Sequence, residues 1–280
     1  MCATVRNLLI LLFAGLGQDA MATAPKAPEP FELGVVPYLS TTSLVTAYQP
    51  LRTYLEEELK RPVVLTTAPD FITFIERCLR KEYDAIIIGP GLGRLVQTEA
   101  GYRPIIVTKR NIKALVIVER NSPYDNPKAL SGKRVAMLDP MVVLSQLGMD
   151  ALRQAGMQPG RDYRIQVVKS PSNAIHAVLQ GEVEAGVTTA NLVPQLSDDT
   201  KHRLRILAES REIPGLMFML LPTALSRHPR MQDLLLQFER TETGRKFIDV
   251  LAMDGLRIPE KREMKSMDNF LPEIRKHFKR

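Results

Sequence analysis

Tyr83-Asp84-Ala85-Ile86-Ile87-Ile88-Gly89-Pro90 (83–90) sets a short, wholly apolar run between a carboxylate and a Gly-Pro pair. With no polar residue alternating through it, the run reads as a strand covered on both faces, the habit of parallel sheets flanked by helices. The same grammar recurs outward in both directions. Strands are expected at Phe31–Val36, Val63–Thr66, Ala85–Ile88, Ile105–Thr108, Leu115–Glu119, Arg134–Leu138, Ile165–Val168, Ala185–Thr189 and Arg205–Glu209. Helical spacing fills the gaps. Leu51, Tyr54, Leu55 and Leu59 follow Pro50 at three- and four-residue steps, and Phe71, Phe74, Ile75 and Cys78 follow Asp70, a suitable N-cap. Ser170 precedes a proline suited to the first helical position, and Gly181 closes that helix. Alternation of this kind is an α/β fold with mainly parallel sheets, and its ligand belongs at the carboxyl ends of the strands.

Composition narrows the function. In 280 residues, 45% are apolar and 25% charged, which suits a chain that folds without help and has room for two lobes. The net charge of +7 is spread along the chain apart from the tail from Arg275 to Arg280. No zinc-finger spacing or aromatic RNA-binding string accompanies it, so no nucleic-acid partner is expected. Cys2 and Cys78 offer neither a disulfide framework nor metal-ligand spacing, and no metal or cofactor is expected. The four histidines sit in helical or charged stretches and read as structural or solvated. No Ser-His-Asp order or HExxH appears, and no catalytic residue is assigned. Gly89-Pro90-Gly91-Leu92-Gly93 lacks the GxxG spacing of a dinucleotide loop.

The first segment is an address. Arg6, the apolar run Leu8–Leu16 and the small-x-small Ala20-Met21-Ala22 have the order of a secretory signal (1–22). Export to a periplasm, with cleavage after Ala22, is expected. The apolar run has about half of the ~20 residues that span a bilayer, which makes an uncleaved anchor the weaker alternative. Residues 23–30, rich in Ala and Pro, read as a leader without a fold.

Three pieces, in order, carry a resemblance: Leu33-Gly34-Val35-Val36-Pro37-Tyr38 with Tyr48-Gln49-Pro50-Leu51; the 83–90 stretch; and Leu130-Ser131-Gly132-Lys133-Arg134-Val135-Ala136-Met137-Leu138-Asp139-Pro140. Ala177 to Gly186 and Glu212-Ile213-Pro214-Gly215 continue it. Together they resemble the PhnD-like solute-binding proteins of phosphonate, phosphite and phosphate ABC importers. The resemblance implies a two-lobed type II periplasmic binding protein with two crossover strands. Lobe one would be 31–118 plus 212–280 and lobe two 119–211, with crossings near 118–121 and 208–214.

The same resemblance exposes departures. Where phosphonate binders carry hydroxyl residues opening a helix, this chain has Val142, Val143 and Leu144; an aromatic position is Gly93, a His-Asp pair is Pro171-Ser172, and acidic positions are Ala190-Asn191. The expected cleft lining is therefore Tyr38, Gly91, Leu92, Gly93, Met141, Val142, Val143, Leu144, Ser172, Thr188, Thr189, Asn191, Met217 and Phe218. That set reads as a wall for an apolar, hydroxyl-bearing lipid such as a sterol or hopanoid, carried by a monomer that meets a membrane transporter or another carrier. The alternative is a phosphonate or phosphate importer component that uses backbone N–H groups alone. The bland reading of Val142–Leu144 is helix core, and an exported enzyme using Asp70, Asp139 or Glu119 is the remote alternative.

Overall fold

The computed structural model describes residues 28–278. The signal-peptide reading and most of the expected leader lie outside them. In chain order the described residues form β1 (Phe31–Val35), α1 (Thr41–Leu59), β2 (Val63–Thr66), α2 (Phe71–Leu79), β3 (Ala85–Ile88), α3 (Pro90–Ala100) and β4 (Arg103–Thr108). There follow β5 (Ala114–Glu119), β6 (Arg134–Met137), α4 (Val143–Gln154), β7 (Arg164–Val167), α5 (Pro171–Leu179), β8 (Ala185–Thr189), α6 (Asp198–Arg203) and β9 (Leu204–Glu209). The chain ends with β10 (Met217–Leu220), α7 (Pro222–Arg227), α8 (Met231–Arg240), α9 (Glu242–Val250), β11 (Leu256–Arg257) and α10 (Leu271–Lys276).

Two sheets result, ordered β11-β4-β10-β3-β1-β2 and β7-β6-β8-β5-β9. They are mixed rather than mainly parallel. β2-β1-β3 and β7-β6-β8 are parallel, while β10, β4, β11, β5 and β9 join antiparallel. Parallel neighbours need a long, usually helical return, and the parallel strands here have one. β5 and β10 instead arrive from the other sheet along short crossings, which frees them to run the opposite way.

Those crossings lie at 109–113 and 210–216, because β5 pairs with β8 and β9 and so belongs wholly to the second sheet. The expected first crossing at 118–121 was therefore too late, and the boundary between the sheets falls after Thr108. The two crossings are bonded to each other: Ile112 and Ile213 exchange N–H···O bonds of 2.8 and 3.0 Å.

Local signals explain most elements. Asp70 accepts from the Thr73 N–H at 2.7 Å and Ser170 from the Asn173 N–H at 3.1 Å, as their N-cap roles require. Helix α1 starts well before Pro50, capped by Ser40. Leu44 and Tyr48 extend the buried face of Leu51 and Leu55, and that apolar stripe carries the helix through the proline. Helix α4 packs on the second sheet through Gly148, where a Cβ would stand 2.6 Å from the Val187 methyls. Burying side chains such as Phe74, Ile75 and Leu55 contributes roughly 1.5–3 kcal/mol each.

Cys78 sits with Phe74 and Ile75 on the buried face of α2, and burial pushes its thiol far above the usual range. A thiol reagent is expected to label it slowly in native protein and at once after denaturation. Rapid native labelling would contradict the packing of α2.

Candidate functional site

The carboxyl ends of β1, β3 and β8 meet the starts of α3 and α4 around a cavity of about 360 Å³. Val36 and Tyr38 follow β1, Gly89 and Leu92 open α3, and Val142, Val143 and Leu144 open α4. Thr189 and Asn191 close β8, Phe71 begins α2, and the two crossings contribute Ile112 and Leu216. Among the described residues, no Lys, Arg, His, Asp or Glu side chain lines it.

Its polar groups are few and neutral. The Tyr38 hydroxyl shares a 2.9 Å hydrogen bond with that of Tyr48, and burial raises both phenols above their ordinary value, so neither ionises near neutrality. Asn191 donates its side-chain N–H to the Asn111 carbonyl at 3.0 Å, tying the loop after β8 to the first crossing. Its backbone N–H reaches the Thr189 hydroxyl at 3.4 Å.

The remaining polarity is backbone. Helices α3 and α4 begin at the extended N-caps Gly89 and Val142, and neither has a side-chain cap, in contrast to α1, α2, α5, α6 and α9. The ladder starts with Gly93 N–H to Gly89 O and Gln146 N–H to Val142 O. The N–H groups of Gly91, Leu92, Val143, Leu144 and Ser145 thus precede it, where helices hold donors for an anion. The two helix starts face each other: Val143 Cγ2 lies 3.5 Å from where a Gly91 Cβ would stand.

The cavity gathers Tyr38, Leu92, Val142, Val143, Leu144, Thr189 and Asn191 from the expected set. The others fall elsewhere. Gly91 is beside the cavity against Val143 and Ile274, and Gly93 packs on Ile88 and Met219. Met141, Met217 and Phe218 are core, Met217 opposite Ile88 and Val107 and Phe218 opposite Ile87 and Ile106. Ser172 belongs to the first turn of α5, whose start Ser170 already caps. Thr188 lies opposite Leu115 and, like Leu115 and Ile117, faces the α5 side of the second sheet. The core reading of Val142–Leu144 is partly right: Leu144 is buried, while Val142 and Val143 are half-buried.

Val36, Phe71, Gly89, Ile112 and Leu216 line the cavity without having been expected to. Val36 and Gly89 were legible as strand-end neighbours of Tyr38 and Leu92. Ile112 and Leu216 were hidden by the misplaced crossings, and Phe71 by its place on an otherwise core-facing helix.

Residues 33–264 match the family described as "ABC transporter, phosphonate, periplasmic substrate-binding protein". The chain belongs to that family. This family member has the fold of XAC2383 from Xanthomonas citri, solved with chloride, at TM-score 0.77 and 18% identity over 89% of this chain and 99% of that one. PhnD1 from Prochlorococcus marinus, in complex with methylphosphonate, gives 0.72 at 14% identity over 88% and 98% of the two chains. The periplasmic aliphatic sulphonate binding protein SsuA from Escherichia coli gives 0.61 at 15% over 89% and 88%. The family member therefore has the two-lobed type II binding-protein architecture with two crossings. Among its described residues no helix is long and apolar enough to cross a membrane, and no group of three or more His, Cys, Asp or Glu is placed to hold a metal ion.

Proposed function

We propose that the chain is the periplasmic substrate-binding component of an ABC importer, and that it takes up an organic anion with a hydrocarbon substituent, a phosphonate or sulfonate. The observation that carries this reading is the pair of uncapped helix starts, α3 and α4, opening on one cavity. Each supplies free N–H groups and about half a positive charge, worth ~0.3–1 kcal/mol to an exposed anion and up to ~2 in a partly buried site. The walls Val36, Leu92, Val142, Ile112 and Leu216 suit the substituent. Every ~100 Å² of it that leaves water contributes about 2.5 kcal/mol.

The family and its neighbours favour this alternative over the sterol or hopanoid first expected. Relatives of this fold bind methylphosphonate and sulphonates, and the apolar wall that suggested a lipid serves an alkyl or aryl group equally well. The role proposed is binding and delivery, and no catalytic role is assigned. Export through the segment 1–22 fits this reading, as does a membrane permease as partner. We take the parts on either side of the two crossings as the lobes that close on the ligand.

Calorimetry with methylphosphonate, pentanesulfonate, phosphate and a sterol, run side by side, tests the proposal. Pentanesulfonate is expected to bind at least tenfold more tightly than phosphate. Sterol binding with no detectable anion binding would return the lipid reading.

A further inference from the structure

Away from the cleft, the α5 side of the second sheet holds another cavity of about 270 Å³. Its walls are Ile117, Ile175, Leu204 and Ile206, and Ile206 is itself exposed. The two ends differ. Thr188 lines one end, 0% exposed, and its hydroxyl has no hydrogen-bond partner. A buried hydroxyl left without a partner is unfavourable, and such orphans call for an explanation. Arg120 and Lys201 line the other end, while Arg205, between Leu204 and Ile206 on β9, reaches the cavity by its backbone and turns its guanidinium to the opposite face of the sheet.

Strand register fixes this polarity. Thr188 is opposite Leu115, Ile206 is opposite Ile117, and Leu204 is opposite Glu119, beside Arg120. Four residue steps along β5, from Leu115 to Glu119, separate the ends, about 13 Å at ~3.3 Å per step. The cations have partners of different kinds. Arg120 Nε donates to the His202 carbonyl, and Arg205 donates to the carbonyls of Ser122 and Tyr124. The carboxylates near Lys201 and Arg205 are Asp198 and Asp125, at 3.3 and 3.4 Å, and both are largely in solvent. No acidic residue lines the cavity among the described residues.

The geometry points to a second binding site, for an elongated aromatic or acyl carboxylate that bears a hydroxyl at its far end. The carboxylate meets Arg120 and Lys201, the apolar body lies between Ile117 and Ile206, and the distal hydroxyl meets Thr188. This site is separate from the importer cleft and does not depend on its ligand.

The test uses the mature protein and two probes, 3-(4-hydroxyphenyl)propanoate and 3-phenylpropanoate, by calorimetry. The hydroxylated probe is expected to bind about tenfold more tightly. Thr188→Val, nearly the same shape, should erase that preference without loss of folding, since it removes only an unpartnered hydroxyl. Lys201→Gln and Arg120→Gln should each weaken both probes about threefold to tenfold, with urea unfolding midpoints confirming that the variants fold; Lys201→Gln suffices if Arg120→Gln does not. Saturating pentanesulfonate should leave probe binding unchanged. Absence of probe binding at millimolar concentration, indifference to all three substitutions, or competition by the sulfonate would each overturn the assignment.

Discussion

Val143→Asp is expected to abolish anion binding while leaving the protein folded. Val143 is the first residue of α4, half-buried on the cavity and facing the start of α3. A carboxylate there has two effects. It takes for itself the N–H groups that would hold the ligand, and it repels the ligand's charge by roughly 4 kcal/mol at ~4 Å and an effective dielectric of ~20. That is about a thousandfold in affinity. The same charge favours the helix, since an acidic group in the first turn contributes ~0.3–1 kcal/mol. The unfolding midpoint should therefore stay close to that of the parent. Val143→Asn supplies the control, with similar size and no charge, and should cost tenfold at most. If calorimetry showed pentanesulfonate binding to Val143→Asp as it does to the parent, the helix starts would not be the anion site.

Gly215→Ala should produce a large loss of stability, roughly 3–5 kcal/mol in urea unfolding. Gly215 lies on the second crossing, and a Cβ there would stand 2.0 Å from Thr108 Oγ1 and 2.3 Å from the Arg110 carbonyl oxygen. The backbone has little freedom to retreat. Thr108 N–H bonds to the Leu216 carbonyl at 2.9 Å, and Ile112 and Ile213 hold the crossings together on the other side. Overpacking alone costs ~1–3 kcal/mol. Pulling the crossings apart adds ~0.5–1.5 kcal/mol for each bond lost. Adding Thr108→Ala should recover only part of the loss, because the Arg110 carbonyl remains in the way. A Gly215→Ala protein within 1 kcal/mol of the parent would show that the crossings are not tightly joined.

Local chemistry carried much of the architecture. The unbroken run Ala85–Ile88 is a central strand, Asp70 and Ser170 cap the helices they precede, and Cys78 lies in the core. These features depend on residues within a turn or two of one another, which is the range over which apolar periodicity and capping act. The α1 start escaped the reading because Pro50 is a strong local stop, whereas burial of Leu44 and Tyr48 is a tertiary gain that no local signal reports.

By itself, then, the sequence determined the alternation of strands and helices, the starts of α2 and α5, and the apolar side of α2. It also brought Tyr38, Leu92 and Val142–Leu144 to the cavity, since these follow strand ends. Tertiary structure alone decided which sheet β5 joins, and with it the crossings at 109–113 and 210–216 that put Ile112 and Leu216 in the wall. A strand's direction and partner depend on where the chain returns from, which leaves no mark on its own residues. The faces of Thr188 and Thr189 were decided the same way. Adjacent residues of a strand point to opposite sides, so one position separates the cavity at the strand ends from the one behind it.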